Sequence, residues 1–125
     1  MNADTTKLIA RALECLEEAT QLQSFDHYLG SINRSYYCIF GCVRALLNEK
    51  GIYAKTHQGL QTKFNELYIK TGQFERKFGE QMRHVFDLRQ TSDYDLDAEL
   101  NAEDAMYAIE SAREFWKACN KFLNT

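Results

Sequence analysis

Apolar residues recur at three- and four-residue intervals along nearly the whole chain, and strict alternation is absent. Leu8, Ile9, Ala12, Leu16 and Ala19 line one side of a helix predicted over 5–23. Ser24 is the expected cap of a second helix that runs to about Lys50 and stops at Gly51. Its stripe is Leu29, Ile32, Tyr36, Ile39, Phe40, Val43 and Leu47. After a loop through Lys55, Thr56 caps a shorter helix carrying Leu60, Phe64, Leu67 and Tyr68, which Thr71-Gly72 ends. A fourth helix presents Phe74, Phe78, Met82 and Val85 or Phe86 and reaches its end at Arg89. The polar stretch 91–100 breaks the pattern. Asn101 and Asp104 then form a capping box before a last helix whose stripe is Ala105, Ile109, Ala112, Trp116, Cys119 and Leu123. That 4-3-4-3-4 spacing is heptad-like and suits near-antiparallel packing. The expected fold is all-α, an up-and-down antiparallel bundle of four to five helices. No repeat or linker interrupts it, so residues 1–125 read as one domain with a core over about 5–123.

Composition strengthens the helical reading. The 125 residues contain no proline, the residue that breaks helix interiors. Thirteen leucines and twelve alanines outnumber eight valines and isoleucines, against the preference of strands. No apolar run approaches the roughly 18 residues of a membrane span, and Met1-Asn-Ala-Asp lacks the basic and apolar regions of a secretory signal. A cytoplasmic protein with no membrane partner is expected. Cys15, Cys38, Cys42 and Cys119 form no CxxC pair and read as small buried hydrophobes.

The net charge of −3 is unevenly distributed. Residues 34–89 hold ten basic and five acidic side chains, whereas 90–125 hold three basic and eight acidic. A basic middle between acidic ends is either an anion-attracting face or a mixed solvated surface.

Three places carry candidate chemistry. In Asn33-Arg34-Ser35-Tyr36-Tyr37-x-x-Phe40 the aromatics read as core. Arg34, at the edge of the stripe, needs either an internal acid or a bound phosphate. In Lys55-Thr56-His57-Gln58-Gly59 a lysine and a histidine crowd a helix start, where free N–H groups favour anions. The glycine-rich run of a phosphate-binding P-loop is missing, and a locally bonded cap remains the competing reading. Third, Arg89 is followed by Ser92, Asp93, Tyr94 and Asp95 at the expected helix exit, either as an anion contact or as an anchor for the loop through Asp93 or Asp95. Asp93-Tyr94-Asp95-Leu96-Asp97 imitates the start of a calcium loop, but Ala98 and Asp104 occupy the positions that need glycine and glutamate. His27, His57 and His84 make no metal-ligand set with the cysteines. No metal and no cofactor is called for.

The same segments, in the same order, resemble a family. Asn33-Arg34-Ser-Tyr36-Tyr37-x-x-Phe40 with Arg44-Ala-Leu-Leu47, then Lys55-Thr-His57-x-Gly59-Leu60, Phe64, Tyr68-Ile-Lys-Thr-Gly72 and Arg89-x-x-Ser-Asp93-Tyr94-Asp95 are similar to HEPN domains, the nucleotide-binding domains of higher eukaryotes and prokaryotes. The resemblance implies a helical bundle that forms a homodimer and partners a minimal nucleotidyltransferase, in some cases as a toxin–antitoxin pair. It implies nucleotide or RNA binding, with Arg34, Lys55, His57, Arg89, Asp93, Tyr94 and Asp95 as the positions to carry it. Toxic members are metal-independent RNases that use an arginine followed, after four to six residues, by a histidine. Arg89 matches the arginine, but Tyr94, Asp95 and Leu96 stand where the histidine would be. A binding and interaction module is therefore the first expectation. An RNase with a non-standard site, drawing on Arg89, Tyr94 or His57, is the second.

Overall fold

The computed structural model describes all residues 1–125. It contains α1 (Ala3–Ser24), α2 (Tyr28–Glu49), α3 (His57–Phe64), α4 (Arg76–Tyr94) and α5 (Ala102–Leu123), and no strand. A π-helical turn, Asn65–Ile69, prolongs α3. The four long helices form an up-and-down bundle. Gln23 at the end of α1 meets Met106 at the start of α5, while Trp116 Nε1 donates to the Ile9 carbonyl at 3.0 Å. Those two helices are therefore antiparallel. Lys77 meets Glu114 and His84 stacks on Tyr107, so α4 and α5 are antiparallel as well.

The expected stripes face one continuous core of 27 buried residues, except that Leu29, in the first turn of α2, is 48% exposed and lies outside it. Phe64, Tyr68, Phe74, Phe78, Phe115 and Phe122 form an aromatic network beneath the π turn, with neighbouring centroids 5.3 to 5.8 Å apart. Each fully buried ring in it contributes roughly 1.5–3 kcal/mol of transfer free energy. The last helix buries a wider face than its heptad stripe, adding Ala108, Ser111 and Phe115, because it packs on α1, α2 and α4 at once. Cys38, Cys42 and Cys119 are buried, Cys15 is partly so, and all four are free thiols.

Two caps form as the sequence predicts. Thr56 Oγ1 accepts from Gly59 N–H at 2.9 Å, and Asn101 and Asp104 exchange side-chain-to-backbone bonds at 3.1 and 2.9 Å. The cap expected at Ser24 does not form. Its hydroxyl turns back to the Gln21 carbonyl, and α1 continues through it. Asp26, at φ 62°, closes α1 in the left-handed conformation, with its N–H on the Gln23 carbonyl and that of His27 on the Leu22 carbonyl. Helix α2 therefore starts three residues late, with His27 at its N-cap. Gly51 ends α2 by the same closure, at φ 69°.

The second correction concerns the functional segment. Helix α4 does not end at Arg89 but continues to Tyr94. Neither glycine nor proline lies between them, and Arg89 and Asp93, one turn apart, attract each other along the helix.

Candidate functional site

Helices α2 and α4 run antiparallel past one another and bring two of the three candidate segments together; α3 supplies the other. On α2, Tyr36 points into the core (2% exposed), whereas Tyr37 and Phe40 are only partly covered. The expectation that all three are core holds for Tyr36 alone. Phe86 packs on Tyr36 from α4, with centroids 5.7 Å apart. One turn further along, Arg89 lays its guanidinium over both tyrosine rings, 5.2 Å from the Tyr36 centroid and 5.6 Å from that of Tyr37.

The Thr56 cap fixes the start of α3 so that His57, its first residue, enters the same aromatic group. Its ring lies 4.3 Å from Phe40 and stacks on Tyr36 at 5.4 Å. His57 Nδ1 shares a hydrogen bond with the Tyr36 hydroxyl, 2.5 Å away. Burial, and then the Arg89 cation, hold the His57 pKa below its ordinary value. The imidazole is therefore neutral near pH 7 and able to accept a proton. Burial pushes the Tyr36 phenol far above its ordinary range, so this hydroxyl stays protonated.

Arg89 itself is under-satisfied. Its side chain is 15% exposed, and of the five N–H donors of a guanidinium one makes a hydrogen bond, a long one of 3.3 Å from Nη2 to the Tyr37 hydroxyl. Asp93 Oδ2 stands 2.9 Å from Nε, but off the line of its N–H, so Nε is buried without a hydrogen-bond partner. The carboxylate offsets the charge and leaves the donor open.

Arg34 does not find the internal acid that was one of its two expected partners. Its Nε and Nη2 donate to Asn33 Oδ1 at 3.1 and 2.8 Å, and its guanidinium covers Tyr37 at 5.1 Å. No carboxylate pairs with it, as is also true of Arg44, which lies 5.9 Å from the Phe40 ring centroid. Three of the seven candidates, Arg34, His57 and Arg89, thus adjoin one aromatic group, and Asp93 joins them through Arg89. The other three stand apart from it. Lys55 is exposed in the loop before α3, and Tyr94 is 75% exposed at the end of α4. Asp95 caps that helix and accepts the Asp97 N–H at 3.0 Å. Sequence reading missed the hydroxyl of Tyr37, the ring of Phe86 and the position of Arg44. The i, i+3 spacing of Arg34 and Tyr37 was the available signal for the first.

The site is a surface rather than a pocket. The crevice beneath His57, lined by Tyr36, Phe40, Leu60 and Met82 among others, holds about 10 Å³, room for one water. An enclosed nucleotide would need some hundreds of cubic ångströms. No three histidine, cysteine, aspartate or glutamate side chains converge as metal ligands, and no helix is long and apolar enough to cross a membrane.

Comparison with known proteins gives a consistent result. The chain is 34% identical over 117 residues to the Methanocaldococcus jannaschii protein named Putative toxin MJ0142, covering 94% of this chain and 80% of that one. It is 34% identical over 113 residues to a UPF0332 protein of Thermotoga maritima, covering 90% and 86%. A second M. jannaschii protein, Putative toxin MJ0605, is 30% identical over 116 residues, with 88% and 87% covered. Residues 5–122 match the model of the HEPN domain, the span of the whole bundle and all three candidate segments; the chain belongs to the HEPN family.

Proposed function

We propose that this HEPN protein is a toxin-like module that binds single-stranded RNA on the Arg89 face and is held in check by a minimal nucleotidyltransferase partner. The observation that carries the binding role is Arg89. A guanidinium whose Nε is buried without a hydrogen-bond partner is costly unless an oxyanion fills that donor. Two features favour a strand over a free nucleotide. The crevice at the site admits about one water, and the partly covered rings of Tyr37 and Phe40 sit beside Arg34 and Arg44, the pairing of stacking surface and cation that suits unpaired bases. Kinship with proteins named as putative toxins supports the toxin-like reading. Homodimerisation and the nucleotidyltransferase partner rest on the family resemblance.

The test is binding of a fluorescent hexanucleotide RNA, followed by anisotropy, to wild type and Arg89→Ala, together with co-purification of a nucleotidyltransferase encoded beside this chain. Tight binding that falls at least tenfold in the variant supports the RNA role; equal binding by both proteins removes Arg89 from it. Absence of a stable complex on co-expression removes the partner.

One observation favours a second reading, in which the protein is an RNase. Tyr36 hydrogen-bonds His57 while its ring lies under Arg89, so a neutral histidine from α3 stands in space near the arginine whose sequence neighbour is missing. His57 would then accept the proton of the attacking 2′-hydroxyl on Nε2, with its Nδ1–H held on the Tyr36 oxygen. Arg89 steadies the phosphate while the P–O5′ bond breaks, and the leaving oxygen takes a proton from water. Purified protein that cleaves single-stranded RNA, and loses the activity in both His57→Ala and Arg89→Ala, supports this reading. Cleavage that survives His57→Ala ends it.

A further inference from the structure

The acidic stretch after Arg89 holds Asp93, Asp95, Asp97 and Glu99, yet only Asp93 touches a cation. Asp95 is taken up by the Asp97 N–H, and Asp97 and Glu99 are exposed without an ion pair. Asp93 is distinct in one further respect. Its side chain is 30% exposed while that of Arg89 is 15% exposed, so it is the more solvent-facing partner of the pair, on the side from which a ligand would approach. It sits in the last turn of α4, one residue before the final helical position. Its contact with Nε is close but misaligned, the geometry of a charge held nearby by its helix rather than of a matched donor–acceptor pair.

We propose that Asp93 is a built-in competitor for the anion site. Its carboxylate occupies the place of a phosphate oxygen on Arg89, and a ligand must displace it to bind. The inference rests on the reading of Arg89 as an anion contact and adds to it a residue that sets the affinity threshold. Displacement needs only a side-chain rotation at the end of a helix, toward water, with no rearrangement of the core. A phosphate that replaces the carboxylate brings more acceptor oxygens and reaches the open donors of the guanidinium that Asp93 leaves unfilled. A single weak anion gains little from the exchange, whereas a strand with further contacts at Arg34 gains enough to complete it. In the free protein the same contact keeps a mostly covered cation partly neutralised.

Asp93→Asn tests this, since it keeps the shape and removes the charge. The probe is a hexa-uridylate with 2′-O-methyl riboses, which cannot be cleaved, labelled at one end and titrated at fixed ionic strength. The Asn variant is expected to bind roughly fivefold more tightly than wild type, the size of effect from deleting one partly screened charge about 5 Å from a bound phosphate. Arg89→Ala and the double variant are expected to bind equally weakly, because without Arg89 there is nothing to compete for. Binding by Asp93→Asn that is equal to or weaker than wild type, while Arg89→Ala loses binding, overturns the proposal and leaves the RNA reading standing. A gain that persists in the Arg89→Ala background also overturns it, since the effect would then be general repulsion. Failure of wild type and Asp93→Asn alike to bind the probe overturns both. Circular dichroism melts of each variant establish that all four proteins are folded.

Discussion

Replacing Tyr36 by phenylalanine deletes one oxygen from the centre of the site and leaves the ring in place. Tyr36 is 2% exposed and packs against Tyr37, Phe40, His57 and Phe86, so the substitution opens no cavity. What goes is the hydrogen bond to His57 Nδ1. His57 is only partly buried, so water can take over at Nδ1, and the heavy penalty for stranding a buried polar group does not apply. The cost is then the ordinary net value of a protein hydrogen bond, about 1 kcal/mol, or a roughly fivefold drop in the ratio of folded to unfolded protein. For a chain of this size the melting temperature falls by about 3–5 °C. Urea denaturation of Tyr36→Phe, His57→Ala and the double variant measures it, with unchanged urea dependence as the check on two-state behaviour. The cycle is expected to give a coupling of about 1 kcal/mol between the two positions. If Tyr36→Phe costs as much in the His57→Ala background as in wild type, the hydroxyl acts elsewhere and His57 is not anchored in this way.

Two further outcomes follow from the same structure. Because the His57 pKa is lowered on folding, the folded state takes up this proton less readily than the unfolded chain. Its contribution to stability is therefore full above the unfolded value of about 6.5 and is lost as the pH falls below it; the urea midpoint should fall less between pH 7.5 and pH 5 in His57→Gln than in wild type, and equal falls would contradict the assignment. Tyr68→Phe removes a hydroxyl that donates to the Leu46 carbonyl at 3.0 Å from a residue 1% exposed; with the acceptor also buried, a loss of about 1–2 kcal/mol is expected by urea denaturation, and a cost near zero would mean that the last turn of α2 does not need this bond.

The sequence by itself determined the helices. Stripes at helical spacing, the absence of proline, the Thr56 cap and the Asn101–Asp104 box are local features, and local energetics suffice to place them. It also identified the segments of interest, because Arg34, His57 and Arg89 each stand out against their own neighbours. Where it failed locally, a specific competitor won. Asp26 took the left-handed turn that makes a Ser24 cap impossible, and the Arg89–Asp93 pair helped carry α4 past its expected end. The π turn at Asn65–Ile69 left no mark in the spacing, since Leu67 and Tyr68 read equally well as ordinary helix. The union of the segments was decided by tertiary structure alone. The bond between Arg89 and Tyr37 spans 52 positions and that between Tyr36 and His57 spans 21, and no periodicity encodes a contact across such distances. They meet because α2 and α4 bury their stripes against each other in antiparallel register, which brings an arginine to two tyrosines, and because α3 packs its first residue, His57, against α2 at the same edge of the core.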